Sequence, residues 1–213
     1  MNESTILLFL LTSLLIILSP GQDLVLVISR SIAHGRHAGM LTAAGVSVGL
    51  MGHTLLAALG LGAILQTSEL LFSALKFIGA AYLIHLGIKA YRAPSLALPQ
   101  AVGAVPVGAR RLFVQGMLSN LSNPKIAVFY FAYLPQFISP GSASPTLLLL
   151  ALGSAFAVLT FAVKVPIGFV AGVCSNWFQQ RPTVQRWMNR VSGTVLISLG
   201  LKLAAEHSPG GGG

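Results

Sequence analysis

Acidic side chains are scarce in this sequence: Asp and Glu together number 4 among 213 residues. Paired carboxylates for general acid and base chemistry are therefore missing. The single cysteine, Cys174, excludes an internal disulfide and a cysteine-built metal cage. The histidines show no metal spacing, and neither a phosphate-binding glycine-lysine loop nor a nucleophile elbow is present. No cofactor, no metal site and no enzymatic activity are expected. The start, Met1-Asn2-Glu3, lacks the basic residues of a cleavable signal peptide, so the first apolar run reads as a retained helix.

What the chain has in abundance is apolar. Hydrophobic residues make up 54%, charged ones only 8%, and the mean hydropathy is +0.82, values that place it in a bilayer. The apolar stretches run over 6–28, 40–65, 70–88, 112–134, 146–173 and 191–205. The last is short for a hydrocarbon core of roughly 30 Å, so its helix is expected to begin near Trp187. The net charge of +9 reflects topology, not nucleic-acid binding, because the basic residues lie in connections without interleaved aromatics. Arg30 and Arg36 fall in one connection, Lys89, Arg92, Arg110 and Arg111 in a second, and Arg181, Arg186 and Arg190 in a third. Glu3, Glu69 and Glu206 lie on the opposite side. The positive-inside rule then gives six spans with both termini outside the cytoplasm.

The third and sixth stretches end alike, Leu83-Ile84-His85-Leu86-Gly87-Ile88-Lys89 and Leu196-Ile197-Ser198-Leu199-Gly200-Leu201-Lys202. The first and fourth each carry a polar residue before a mid-stretch proline, Ser19-Pro20 and Asn123-Pro124. Three spans separate the copies, so the second is inverted in the membrane. The expected fold is all-α and integral to the membrane: a three-helix repeat over 1–91, a cytoplasmic linker over 92–111, an inverted three-helix repeat over 112–207 and a disordered tail over 208–213. Inverted repeats with interrupted helices are an architecture of secondary transporters, whose substrate sites lie where the breaks meet.

Around the first break stand Pro20, Gly21, Gln22 and Asp23, the last being the only carboxylate inside an apolar stretch. Around the second stand Asn120, Ser122, Asn123, Pro124 and Lys125. A half-helix beginning after Pro124, with the Lys125 ammonium, suits a carboxylate of the solute; Asp23 suits an amino group or a coupling proton. On ideal helices Asp23 and Lys125 differ in depth by about 12 Å, which argues against a simple ion pair. His53 is a candidate proton relay or a packing residue with one hydrogen bond. Lys76 and Lys164 read as side chains that snorkel to a nearby helix end.

With Pro20-Gly21-Gln22-Asp23, Ser29-Arg30-Ser31, Gly35-Arg36-His37-Ala38-Gly39, Gly79-Ala80-Ala81-Tyr82-Leu83, Asn123-Pro124-Lys125 and Leu134-Pro135-Gln136-Phe137 in order, the chain resembles the LysE/RhtB family of bacterial amino-acid exporters. The resemblance implies an inner-membrane exporter of amino acids or their derivatives, driven by proton antiport and often oligomeric. Its functional positions would be Pro20, Gly21, Asp23, Asn123, Pro124 and Lys125. The chain departs from that pattern at Ser19, where a glycine is usual, and at Lys164. The expectation is a secondary transporter of a small zwitterionic solute, with protons and membrane lipids as further partners and no nucleic acid. The alternatives are a passive channel or metal-ion exporter, and a non-transporting membrane scaffold.

Overall fold

Prolines, glycines and long leucine-rich runs divide the chain as they should. A computed structural model describes residues 3–67, 69–93, 107–138, 142, 144–173 and 182–205. All regular elements among them are helical: α1 (Glu3–Leu18), α2 (Gln22–His34), α3 (Arg36–Thr67), α4 (Glu69–Arg92), α5 (Ala109–Leu121), α6 (Pro124–Val128), α7 (Pro145–Val173) and α8 (Pro182–Ala205). A π-helical turn, Phe129–Tyr133, and a 3-10 turn, Leu134–Phe137, prolong α6. The tail over 208–213, Cys174 and the stretch 94–106 of the linker lie outside the described residues.

The first apolar stretch bends by 51° between α1 and α2, because Pro20 has no N–H to continue the hydrogen-bond ladder. α2 does not stop where the apolar run stops at Ile28. It continues through Ser29-Arg30-Ser31 to His34, and only Gly35, at φ 86°, separates it from α3. A positive φ of this kind favours glycine. Asp23 thus lies in the first turn of α2, farther from that helix's end than the apolar run suggests. α8 opens on Pro182 and has 24 residues, about 36 Å of helix at 1.5 Å per residue, so the apparent shortness of the last stretch disappears.

α3 is the spine, packed along both α5 and α7, with α2 against α3 and α7, while α4 pairs with α8. Glycines set these distances. Gly45, Gly49 and Gly52 bring α3 against Phe113, Met117 and Leu121 in that order, so α3 and α5 run parallel. Arg36 meets Gly172, Gly39 meets Gly168 and Thr54 meets Gly153, so α3 and α7 run antiparallel. At the α4 and α8 crossing, a Cβ on Gly87 would lie 2.7 Å from the Gly193 carbonyl oxygen and the Ile197 side chain. One on Gly200 would lie 2.8 Å from the Ala80 carbonyl oxygen and 2.7 Å from the Ile84 side chain. The two sets interchange under the shift that relates the two similar helix ends. Small residues at such crossings let backbones approach where no hydrophobic effect drives helices together. Gly87→Val is expected to destabilise the α4–α8 pair by about 1–3 kcal/mol through overpacking, read as a lower melting temperature in detergent.

The interior holds an aromatic cluster of Phe129, Tyr130, Tyr133, Phe137 and Phe156, with Phe129 and Phe156 rings 4.5 Å apart. Leucines on the outside are bare: Leu59 is 73% and Leu70 80% exposed, and α1 turns Leu7, Leu11 and Leu15 outward. A belt of exposed leucine suits lipid, not water. By length and composition α3, α7 and the bent α1–α2 pair are able to cross a bilayer.

Candidate functional site

A proline inside a helix leaves the carbonyl four residues earlier without its donor. For Pro20 that carbonyl is Ile16, and the Lys125 Nζ donates to it at 3.2 Å and to the Ser19 carbonyl at 3.0 Å. For Pro124 it is Asn120, whose carbonyl accepts from His53 Nε2 at 3.1 Å and from the Asn123 backbone N–H at 2.9 Å. Each break is therefore capped by a side chain from the other half of the sequence. Gln22 adds a third link, its Nε2 donating to the Ser119 carbonyl at 3.1 Å and to Ser122 Oγ at 3.2 Å.

Lys125 fits this place because Gly21 stands beside it. A Cβ on Gly21 would lie 3.0 Å from Nζ, where the ammonium now sits. The ammonium also meets the carbonyl end of α1, where a helix favours positive charge. Asn123 caps α6, its side-chain oxygen accepting from the Lys125 backbone N–H at 3.1 Å. α6 runs on without a break through the π and 3-10 turns to Phe137, so peptide dipoles aligned along 124–137 add positive potential to the Lys125 amine at this break.

Asp23 is 2% exposed, in the first turn of α2, where the N-terminal end of the helix favours a carboxylate. Its Oδ2 accepts from Asn120 Nδ2 at 2.8 Å and its Oδ1 from Ser119 Oγ at 3.3 Å. Lys164 Nζ on α7 lies 3.5 Å from Oδ2, a buried ion pair between α2 and α7. The expectation that Lys164 snorkels to a helix end is thus corrected. Its side chain is 5% exposed and turned inward, because the only buried carboxylate on neighbouring α2 lies level with it. Lys76 is corrected likewise: it is 2% exposed, with Nζ 4.8 Å from the centroid of the Phe77 ring. The signal for Lys164 was present in the sequence, since it stands two residues before Pro166 in an apolar helix, as Lys125 stands next to Pro124.

His53 is 3% exposed and stacked on Tyr130 with ring centroids 5.6 Å apart. Since a carbonyl only accepts, Nε2 carries the hydrogen. Tyr130 donates to the Gly153 carbonyl at 3.0 Å and accepts from Thr54 at 3.1 Å, which ties this cap to α7. If capping is its task, His53→Gln, which keeps an N–H donor and loses the imidazole, retains export, and His53→Leu lowers stability by about 1 kcal/mol. Loss of export in His53→Gln, measured beside a thermal melt, would instead mark a proton carrier.

Toward the basic connections, a cavity of about 480 Å³ opens between the α2–α3 corner and the start of α5, lined by His34, His37, Leu41 and Leu112 among others. Among the described residues no group of three or more His, Cys, Asp or Glu side chains is placed to hold a metal ion.

The sequence matches the family described as LysE type translocator over residues 14–207. The chain belongs to that family. Among its relatives, a homoserine/homoserine lactone efflux protein of Salmonella typhimurium is 35% identical over 94% of this chain and 96% of its own length. A leucine efflux protein of Klebsiella pneumoniae is 27% identical over 94% of each chain. An uncharacterized membrane protein of Vibrio cholerae is 32% identical over 94% of this chain and 96% of its own length. No solved structure matches. The family assignment and the apolar helices make the chain a multi-pass membrane protein of the LysE type translocator family.

Proposed function

We propose that this translocator exports amino acids or related small zwitterionic metabolites from the cytoplasm across the inner membrane by proton antiport. The observation that carries the reading is the mutual capping of the two proline breaks. Lys125 holds the carbonyls freed at Pro20 and His53 holds the one freed at Pro124, so the two halves meet through polar groups that a solute is able to replace. A carboxylate arriving at Lys125 competes with two neutral carbonyls for one ammonium, and a charged acceptor is the stronger one. Asp23 is the carboxylate placed to take the solute's amino group or the coupling proton. The names of the relatives, homoserine and leucine efflux proteins, support amino-acid export.

In this reading each broken stretch is one span, giving six spans as two inverted repeats with both termini outside. The parallel run of α3 with α5, the antiparallel run of α3 with α7, and the interchangeable contacts at Gly87 and Gly200 support that arrangement. The cavity at His34 and His37 lies on the side of the basic connections and serves as the cytoplasmic approach. Cells expressing the protein, challenged with toxic concentrations of single amino acids and analogues, are expected to tolerate a small set of them. Unchanged sensitivity across the whole panel in cells with confirmed expression would refute amino-acid export.

A further inference from the structure

Three ionisable side chains meet at the two breaks, and their charges do not balance. Asp23 supplies the only carboxylate; Lys125 and Lys164 supply two amines. All three are at most 8% exposed, and Arg30, half-buried two turns along α2, adds positive charge on the same helix. Asp23 is already satisfied from three directions, by Lys164 at 3.5 Å, Asn120 at 2.8 Å and Ser119 at 3.3 Å. Lys125 has only the carbonyls of Ile16 and Ser19, which carry no net charge. In their ionised forms the three groups leave one cation in excess; an uncompensated buried charge is costly, and it is relieved either by loss of that proton or by an arriving anion.

From this imbalance we propose that the site prefers a small carboxylate of net charge −1, an amino acid whose amino group is acylated or absent, over the zwitterionic amino acid itself. The inference rests on the reading that Lys125 receives a carboxylate. A monoanion at Lys125 brings the buried cluster to neutrality. A zwitterion brings an ammonium as well, which must displace Lys164 to reach Asp23; the cluster then contains three cations and two anions. Lys164 therefore sets the charge of the preferred solute by occupying the place of a substrate amino group. It acts through Asp23 and is a specificity-determining residue that need not touch the solute.

The test is equilibrium binding of radiolabelled leucine and N-acetyl-leucine to the full-length protein in detergent. The native protein is expected to bind N-acetyl-leucine at least ~10-fold more tightly, the step that one modest charge-assisted contact supplies. Lys164→Met leaves Asp23 and Lys125, a balanced pair, and the preference should turn to leucine. The double variant Asp23→Asn with Lys164→Met restores the single excess cation, and the preference should return to N-acetyl-leucine. That return distinguishes charge balance from damage to the fold, since the double variant is altered further from the native sequence. Equal or tighter binding of leucine by the native protein, or the same preference in the native protein and both variants, overturns the inference and leaves amino-acid export standing. Binding of neither compound by the native protein overturns the carboxylate site at Lys125 as well.

Discussion

Asp23→Asn is expected to reduce export to the level of cells lacking the protein while leaving insertion and folding intact. Asparagine has the shape of aspartate and keeps an oxygen for Asn120, while its amide N–H donates to the Ser119 hydroxyl oxygen in place of the bond that Oδ1 accepted, so the polar contact between α2 and α5 survives. What it loses is the charge that faces Lys164 and the capacity to exchange a proton or hold an ammonium. Asp23→Leu removes the acceptor altogether. Leaving the Lys164 amine buried with no acceptor costs about 3–5 kcal/mol, whereas the asparagine oxygen still accepts from it, so only the leucine variant should also fold poorly. Export from whole cells, measured with the amount of protein in the membrane, separates the two outcomes. Export retained by Asp23→Asn would remove Asp23 from the coupling and binding site.

Lys125→Ala is expected to abolish export and to destabilise the protein as well, because this ammonium has a structural task. It stands in for the N–H that Pro20 lacks, and without it the Ile16 and Ser19 carbonyls are left bare at about 1–3 kcal/mol for each unsatisfied group. Both losses follow from one geometry. A melting curve in detergent should show the destabilisation, and addition of the exported solute should raise the melting temperature of the native protein but not of the variant. Lys125→Arg keeps the charge, but its planar, wider head must share the space beside Gly21, where a Cβ would already lie 3.0 Å from Nζ. It should fold and export poorly.

The breaks were legible in the sequence because proline acts locally, removing one N–H from the ladder: Pro20 and Pro124 mark helix breaks, while Pro166 is carried inside α7. Their partners were not legible, because the groups that Lys125 and His53 bind are backbone carbonyls, which no residue type announces. The end of α2 was not legible for a related reason. Apolar runs mark lipid contact, but α2 continues through polar residues that face protein; Ser31 donates to the Gly168 carbonyl of α7. With α2 extended to His34, Asp23 reaches Asn120; the depth difference of about 12 Å argued against an ion pair with Lys125, and the ionic partner of Asp23 is Lys164. Lys164 escaped because a single sequence does not reveal which face of α7 meets α2. Its position two residues before Pro166, like that of Lys125 next to Pro124, was the available clue. The glycine faces on α3 and α7 were legible as packing surfaces, and they serve as such against α5, α3 and α2.

The antiport reading meets its most direct test in proteoliposomes carrying the purified protein, with an acidic lumen and the exported solute outside. Protons leaving through an antiporter should drive the solute inward until its internal concentration exceeds the external one, and a protonophore should abolish the excess. A solute that enters only until the two concentrations are equal, with or without the pH gradient, would contradict proton antiport and identify a passive pathway through the two breaks.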